Sequence, residues 1–197
     1  MITVYFDGLC EPVNPGGVAT YGFIVYRDHE KLYEEAGVIG VGALGDDVTN
    51  NVAEYTALIR ALEWLIRNGF TEEHITVKGD SQLIIRQMQG IYSVRSPRLL
   101  LLHRRAKVLT SKFKSLKLEW VPREENAEAD ALSRKAYLQF MREHADLIKD
   151  RYGRYLATEE QKATLKKVGI TPDPFISRWE AERIIRRLRR KAPRSNR

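Results

Sequence analysis

Three strand-like runs joined by short turns, then helix-like and strand-like segments in alternation, restrict this 197-residue chain to few architectures. Ile2 to Asp7 alternates apolar and polar residues, with Ile2, Val4 and Phe6 on one face. A loop rich in glycine and proline is expected from Gly8 to Gly17, and a second strand from Val18 to Tyr26. Asp28-His29-Glu30 reads as a turn and Lys31 to Ile39 as a third strand. Strands with such short connections suggest an antiparallel meander. Beyond Gly40, Gly42 and Gly45, apolar residues recur at helical spacing from Val52 to Leu65 or Ile66. Thr49 or Asn50 can cap that helix and Gly69 stops it.

A fourth strand, Ile75 to Lys78, ends at Gly79-Asp80. Ser81 opens a short helix closed by Gly90, and Pro97 starts another. Leu116 to Val121 is a fifth strand, stopped by Pro122, and Asn126 is expected to cap a long helix running towards Ile148. A meander followed by strand–helix crossovers implies an α/β fold. Its core would be one mixed five-stranded sheet, three strands antiparallel and then two parallel, with helices on both faces. This domain is expected to occupy residues 1–150. Residues 151–157 read as a linker. Two capping boxes follow, Thr158-Glu159-Glu160-Gln161 and Ser177-Arg178-Trp179-Glu180. They begin two helices too short to be stable alone, so these should pack on each other as a helical hairpin. In the second, Trp179, Ile184 or Ile185 and Leu188 are expected on one side and the arginines on the other. Residues 151–197 are thus expected to form a linker and a basic two-helix appendage with a disordered end.

The net charge of +7 sits at that end. Arg178 to Arg197 holds nine basic and two acidic residues, while the rest of the chain has 24 of each sign. A basic tail serves either phosphate contacts or solubility. No run approaches the ~18 apolar residues of a membrane span. The N-terminus reads straight into a strand without a signal-type stretch, so a cytoplasmic location and no membrane partner are expected. Cys10 is the only cysteine, which excludes an internal disulfide and, by itself, a zinc cluster.

Four carboxylates sit where apolar packing does not explain them. Asp7 and Asp80 end two strands, and Glu54 and Asp130 lie in the first turns of two helices. Buried carboxylates are costly unless paired or metal-bound. If the four converge, cations must neutralise the pocket, which points to a metal-dependent enzyme acting on a phosphate backbone.

The same residues carry a resemblance. Tyr5-Phe6-Asp7-Gly8, Asn14-Pro15-Gly16-Gly17, Thr49 to Tyr55 with its Asn-Asn-Val-Ala-Glu core, Gly79-Asp80-Ser81-Gln82-Leu83 and Ala129-Asp130-Ala131-Leu132-Ser133 occur in order at element boundaries. Residues 1 to about 140 resemble type 1 ribonuclease H. The resemblance implies the ribonuclease H-like fold and endonucleolytic hydrolysis of the RNA strand of RNA–DNA hybrids, leaving 5′-phosphate and 3′-hydroxyl ends. It implies two Mg²⁺ ions, replaceable by Mn²⁺, on Asp7, Glu54, Asp80 and Asp130. It places Asn50, Asn51 and Gln82, beside Ser81, in the hybrid's minor groove, where a 2′-hydroxyl distinguishes RNA from DNA. Asn14 and the Gly8 and Gly16 backbone would lie along the RNA strand, and Thr49 would hold a DNA-strand phosphate. Cap or loop hydrogen bonds are the alternative role for Asn14, Thr49 and Asn51.

Three departures accompany the resemblance. Many members carry a histidine in the loop before the last acid, but here that loop is Pro122-Arg123-Glu124-Glu125-Asn126. Arg123 or Glu124 could take its place. Arg123 stays protonated, so it can hold a phosphate, or an acid in a salt bridge, but cannot act as a base. A basic protrusion that grips the DNA strand in some members has no room between Ser81 and Leu116. The C-terminal helices form the third departure, and Arg186, Arg187, Arg189, Arg190 and Lys191 are expected to supply the missing phosphate grip. The protein is expected to act as a monomer, with duplex RNA as a possible second substrate. A silent hybrid-binding module would need at least one acid lost, and none is. Another nuclease of the same fold is the remaining alternative.

Overall fold

The structure, a computed structural model, describes the backbone of residues 1–191 and the side chains through Arg189. The elements are β1 (Ile2–Glu11), β2 (Val18–Arg27), β3 (Glu30–Val41), α1 (Asn50–Arg67), β4 (His74–Gly79), α2 (Gln82–Met88) and α3 (Pro97–Thr110). They continue with β5 (Ser115–Trp120), α4 (Ala127–Glu143), α5 (Ala145–Tyr152), α6 (Glu159–Lys167) and α7 (Arg178–Lys191). The sheet order is β3-β2-β1-β4-β5. The first three strands pair antiparallel, and β4 joins β1 and β5 in parallel. This is the sheet expected from the patterning. No helix among the described residues is long and apolar enough to cross a membrane.

The two sheet faces are covered by different helices. Ile2, Val4 and Phe6 of β1 pack with Tyr55, Leu58, Leu62 and Leu65 of α1 in the main core. Burying each such side chain contributes roughly 1.5–3 kcal/mol. The Tyr55 hydroxyl, also buried, donates to Gln87 Oε1 at 2.8 Å, so its polar tip is satisfied. On the other face Leu9, Val18 and Val41 meet Tyr137 and Met141 of α4 and Ile148 and Tyr152 of α5. Both helices press on glycines. A Cβ at Gly8 would lie 2.1 Å from the Glu54 nitrogen, and one at Gly22 would lie 2.7 Å from the Ser133 nitrogen.

Four expectations are corrected. First, β1 does not stop at Asp7. It continues to Glu11, because its antiparallel pairing with β2 runs on to Glu11↔Val18. Asp7 is therefore inside a strand, and the loop is only Pro12–Gly17. Second, the long helix is two helices. His144 leaves helical geometry (φ −122°, ψ 36°) and its ring stacks on Phe140 at 4.1 Å. The break lets Ile148 and Tyr152 reach the core. Third, residues 151–157 are not a slack connection. Tyr152 is buried, its hydroxyl accepts from Ala43 N–H at 2.8 Å, and it donates to the Gly16 carbonyl at 3.0 Å. Leu156 forms a β-bridge with Ser177.

The hairpin packs as expected through Ala157, Leu165, Ala181 and Ile185, flanked by Ile184 and Leu188. Thr158 and Gln161 make a full capping box. Ser177 caps α7 through Glu180 N–H at 3.1 Å, but the Glu180 side chain turns away to Arg183 at 2.6 Å and Arg134 at 3.9 Å. The fourth correction concerns Trp179. It does not join the hairpin's apolar side and is 59% exposed, because Ala181 and Ile185 already fill the interface with α6. The expected disordered end falls on residues 192–197, outside the described residues.

Candidate active site

The site lies where β1 and β4 part. Their parallel register ends at Tyr5↔Lys78, and β4 turns towards α2 after Gly79. Beyond this point β1 has no strand partner on that side, and Asp7 lines the cavity there. Ligands of such sheets bind in the crevice at the carboxyl ends of parallel strands. Asp80 enters from the end of β4. Glu54 enters from the first turns of α1, which Thr49 caps by accepting from Val52 N–H at 3.2 Å. The bare backbone of Gly8 allows α1 to approach closely enough for Glu54 to reach Asp7.

Oxygens of Asp7, Glu54 and Asp80 all lie within 4.8 Å of one another. Asp130, at the start of α4, is in the same cavity of about 520 Å³ but outside this tight group. Its carboxylate is ion-paired with Arg123. Arg123 thus stands beside the acids, with a carboxylate as its observed partner.

The electrostatics are strained in one direction. Burial pushes the Asp7 carboxyl up to about 7, and repulsion from Asp80 and Asp130 adds to this, against the Ser133 hydroxyl bond and Arg123. Glu54 is raised well above its ordinary value by burial, then by Asp7 and Asp80. Its Oε2 is buried with no hydrogen-bond partner. Three hard oxygen donors with too few protein cations fit a divalent ion such as Mg²⁺. They are poorly satisfied without one.

The other expected residues divide. Gly8, Asn14, Asn50 and Asn51 line the cavity. Asn14 Oδ1 accepts from Asn50 N–H at 3.0 Å, and Asn50 Oδ1 accepts from Cys10 N–H at 3.2 Å, so these two brace the loop and helix start. Thr49, Gly16, Ser81 and Gln82 do not line it. Gly16 uses its N–H on the Val48 carbonyl at 3.0 Å and its carbonyl on Tyr152, which leaves its backbone engaged inside the protein. Ser81 stands at the N-cap position of α2 without a side-chain cap bond, and Gln82 follows, exposed, two residues beyond Asp80. Arg186 and Arg187 line a groove next to the cavity, whereas Arg189 lies on another surface with Thr158 and Glu160. The side chains of Arg190 and Lys191 are outside the described residues.

Four residues found at the site were not expected there. Asn126 does not cap α4. It is buried, and its Nδ2 donates to Asp80 Oδ1 at 2.6 Å and to the Phe6 carbonyl at 2.9 Å, which ties the two acid-bearing strands. An asparagine before a helix carries a cap signal, and nothing local in the sequence reveals the alternative. Ser133 holds Asp7 and also donates to the Asp130 carbonyl at 3.0 Å. Its position one turn after Asp130 was the available clue. Trp179 and Ser177 bring the hairpin to the cavity rim.

Comparison with known proteins agrees with this arrangement. A family model described as reverse transcriptase-like matches residues 7–136. Bifunctional protein Rv2228c of Mycobacterium tuberculosis is 40% identical over 124 residues, covering 62% of this chain and 32% of its own. Ribonuclease HI of Halobacterium salinarum is 37% identical over 135 residues, covering 68% of this chain and 63% of its own. The chain thus spans about a third of the former's length and under two thirds of the latter's. Two solved structures are similar. LC11-RNase H1 in complex with RNA/DNA hybrid has a TM-score of 0.62 and 36% identity, over 69% of this chain and 96% of that one. The N-terminal RNase H domain of Rv2228c has a TM-score of 0.61 and 36% identity, over 68% and 91%. With its five-stranded sheet, its acidic cluster and these likenesses, the chain belongs to the type 1 ribonuclease H family.

Proposed function

We propose that the protein hydrolyses the RNA strand of RNA–DNA hybrids in a Mg²⁺-dependent reaction, leaving 5′-phosphate and 3′-hydroxyl ends. The observation that carries this reading is the convergence of Asp7, Glu54 and Asp80 within 4.8 Å, with Glu54 Oε2 buried and unpartnered. Two ions would be held by these three acids together with Asp130, and Mn²⁺, also suited to oxygen ligands, would substitute. When bound, such ions neutralise the phosphate charge and make water a better nucleophile.

The chain's own groups then have separate tasks. Asn126 fixes the Asp80 carboxylate and Ser133 fixes Asp7, so both acids are oriented before substrate arrives. Asn51 lines the cavity, where contact with a 2′-hydroxyl of the RNA strand would distinguish it from DNA. Asn50 and Asn14 keep the α1 start in place for this contact. Arg123, 40% exposed at its side chain, can move from Asp130 to the phosphate or to the departing product.

The test is a side-by-side cleavage assay with labelled hybrid, duplex RNA and duplex DNA, in Mg²⁺, Mn²⁺ and chelator. Cleavage of the RNA strand of the hybrid, absent in chelator and in Asp80→Asn, is the expected result. Cleavage of duplex RNA would widen the substrate range. An intact hybrid under all metal conditions would overturn the reading.

A further inference from the structure

The C-terminal hairpin carries a second groove, of about 1080 Å³, that adjoins the carboxylate cavity. Pro12 and Trp179 line both spaces, so the groove begins where the cavity ends, at these two residues. Five arginines line it, Arg154, Arg178, Arg183, Arg186 and Arg187, against a single glutamate, Glu182. That glutamate is bonded to Arg186 at 2.9 Å. Arg178 and Arg187 have no ion-pair partner among the described residues.

Aromatic rings alternate with these cations. Trp179 is 59% exposed and has the Arg183 guanidinium 5.4 Å from its ring centre, while Arg154 stands 5.0 Å over Tyr155. A large exposed indole is not explained by the hairpin core, which leaves it out. Single-stranded nucleic acid is recognised by this combination: guanidinium groups along the phosphates, and aromatic faces under the bases. A duplex backbone alone would use the cations but leave the indole face without a partner.

We propose that this groove binds a single-stranded extension of the RNA strand whose paired part lies at the carboxylates, with a base stacked on Trp179 and phosphates on Arg183 and Arg187. The assignment to the RNA strand rests on the function proposed above. The existence of a single-strand site does not. The hairpin then makes the enzyme favour hybrids whose RNA continues beyond the duplex.

Binding can be read without turnover. The full-length protein in chelator is titrated with a short labelled single-stranded RNA, followed by fluorescence anisotropy. Trp179→Ala should weaken binding about tenfold, and Trp179→Phe should restore most of it. Arg187→Ala should lower the slope of log affinity against log salt by about 0.7. Unchanged melting temperatures would establish that the exposed substitutions leave the fold intact. Hybrids with an RNA tail, a DNA tail or blunt ends are then compared in chelator. Tighter binding of the RNA-tailed hybrid, lost in Trp179→Ala, supports the proposal. Equal benefit from DNA tails overturns the strand assignment, and equal binding of single strands by wild type and Trp179→Ala overturns the site. Concentration-dependent dimerisation abolished by Trp179→Ala would also overturn it, by assigning the groove to a second copy. If hybrids resist cleavage while single-strand binding behaves as described, the catalytic reading fails and the groove stands.

Discussion

Replacing Asp7 by Asn should stabilise the metal-free protein above neutral pH, and the gain should shrink in mild acid. In the fold Asp7 is only 5% exposed, and its carboxyl titrates near 7 rather than near 3.8. In the unfolded chain it ionises close to ~3.9. Between these values the native state holds a proton that the unfolded state has released. Native stability therefore falls as pH rises through this window, and above it the whole penalty remains. The difference corresponds to roughly 4 kcal/mol, of which structural relaxation and water entry remove part. Asn carries no charge at any pH and retains an oxygen to accept from Ser133. A net gain of about 1–3 kcal/mol at pH ~8.5 is expected, or about 3–10 °C in Tm for a chain of this size. At pH ~5 the penalty, and with it the gain, should be less than half as large. Circular dichroism melts of both proteins in chelator, at the two pH values, measure it. Mg²⁺ should then raise the wild-type Tm and narrow the gap. A variant less stable than wild type at high pH, or a difference unaffected by pH, would refute the claim that Asp7 is held at an energetic cost.

Three further outcomes follow from the same geometry. Arg134 lies 3.5 Å from Glu11 and 3.9 Å from Glu180, both buried, so Arg134→Met should cost about 3–5 kcal/mol in chemical denaturation by stranding Glu11 and leaving Glu180 with Arg183 alone. Glu11→Gln should cost clearly less, and equal losses would argue against the triad. Arg123→Ala removes a cation from the cluster and frees Asp130, so the Mg²⁺ concentration for half-maximal cleavage should drop a few-fold while kcat declines. An unchanged metal requirement would show that the pair does not compete with ions. Gly8→Ala would put a methyl group 2.1 Å from the Glu54 nitrogen, so it should lower Tm by more than 10 °C, on the order of 3 kcal/mol or more. A mild effect would mean that α1 can shift without losing its seat on β1.

The order of strands and helices was legible because alternation in Ile2–Phe6 and Leu116–Trp120 and the helical spacing from Val52 to Leu65 are strong local signals. The acids were legible for the same reason, since each sits next to such a signal. What was hidden depended on partners distant in sequence. The extension of β1 to Glu11 is decided by pairing with Val18, although proline follows at once. The break at His144 carries neither proline nor glycine and is set by the need of Ile148 and Tyr152 to reach the core. Asn126 is buried because Phe6 and Asp80, 120 and 46 positions away, take its amide. Trp179 belonged by spacing to an apolar stripe, yet Ala181 and Ile185 suffice to seal α7 onto α6.

The single phenol of Tyr152 links the Ala43 amide to the Gly16 carbonyl, so the stretch after α4 pins two loops that flank the beginning of β2. Anyone shortening this protein for crystallisation or fusion inherits that stitch. A version ending at residue 150 would leave both loops unfastened and a ring-sized hole beside Leu9 and Val41, whereas one ending just past Tyr152 would discard the helical hairpin and keep the sheet and its acid-bearing elements properly laced.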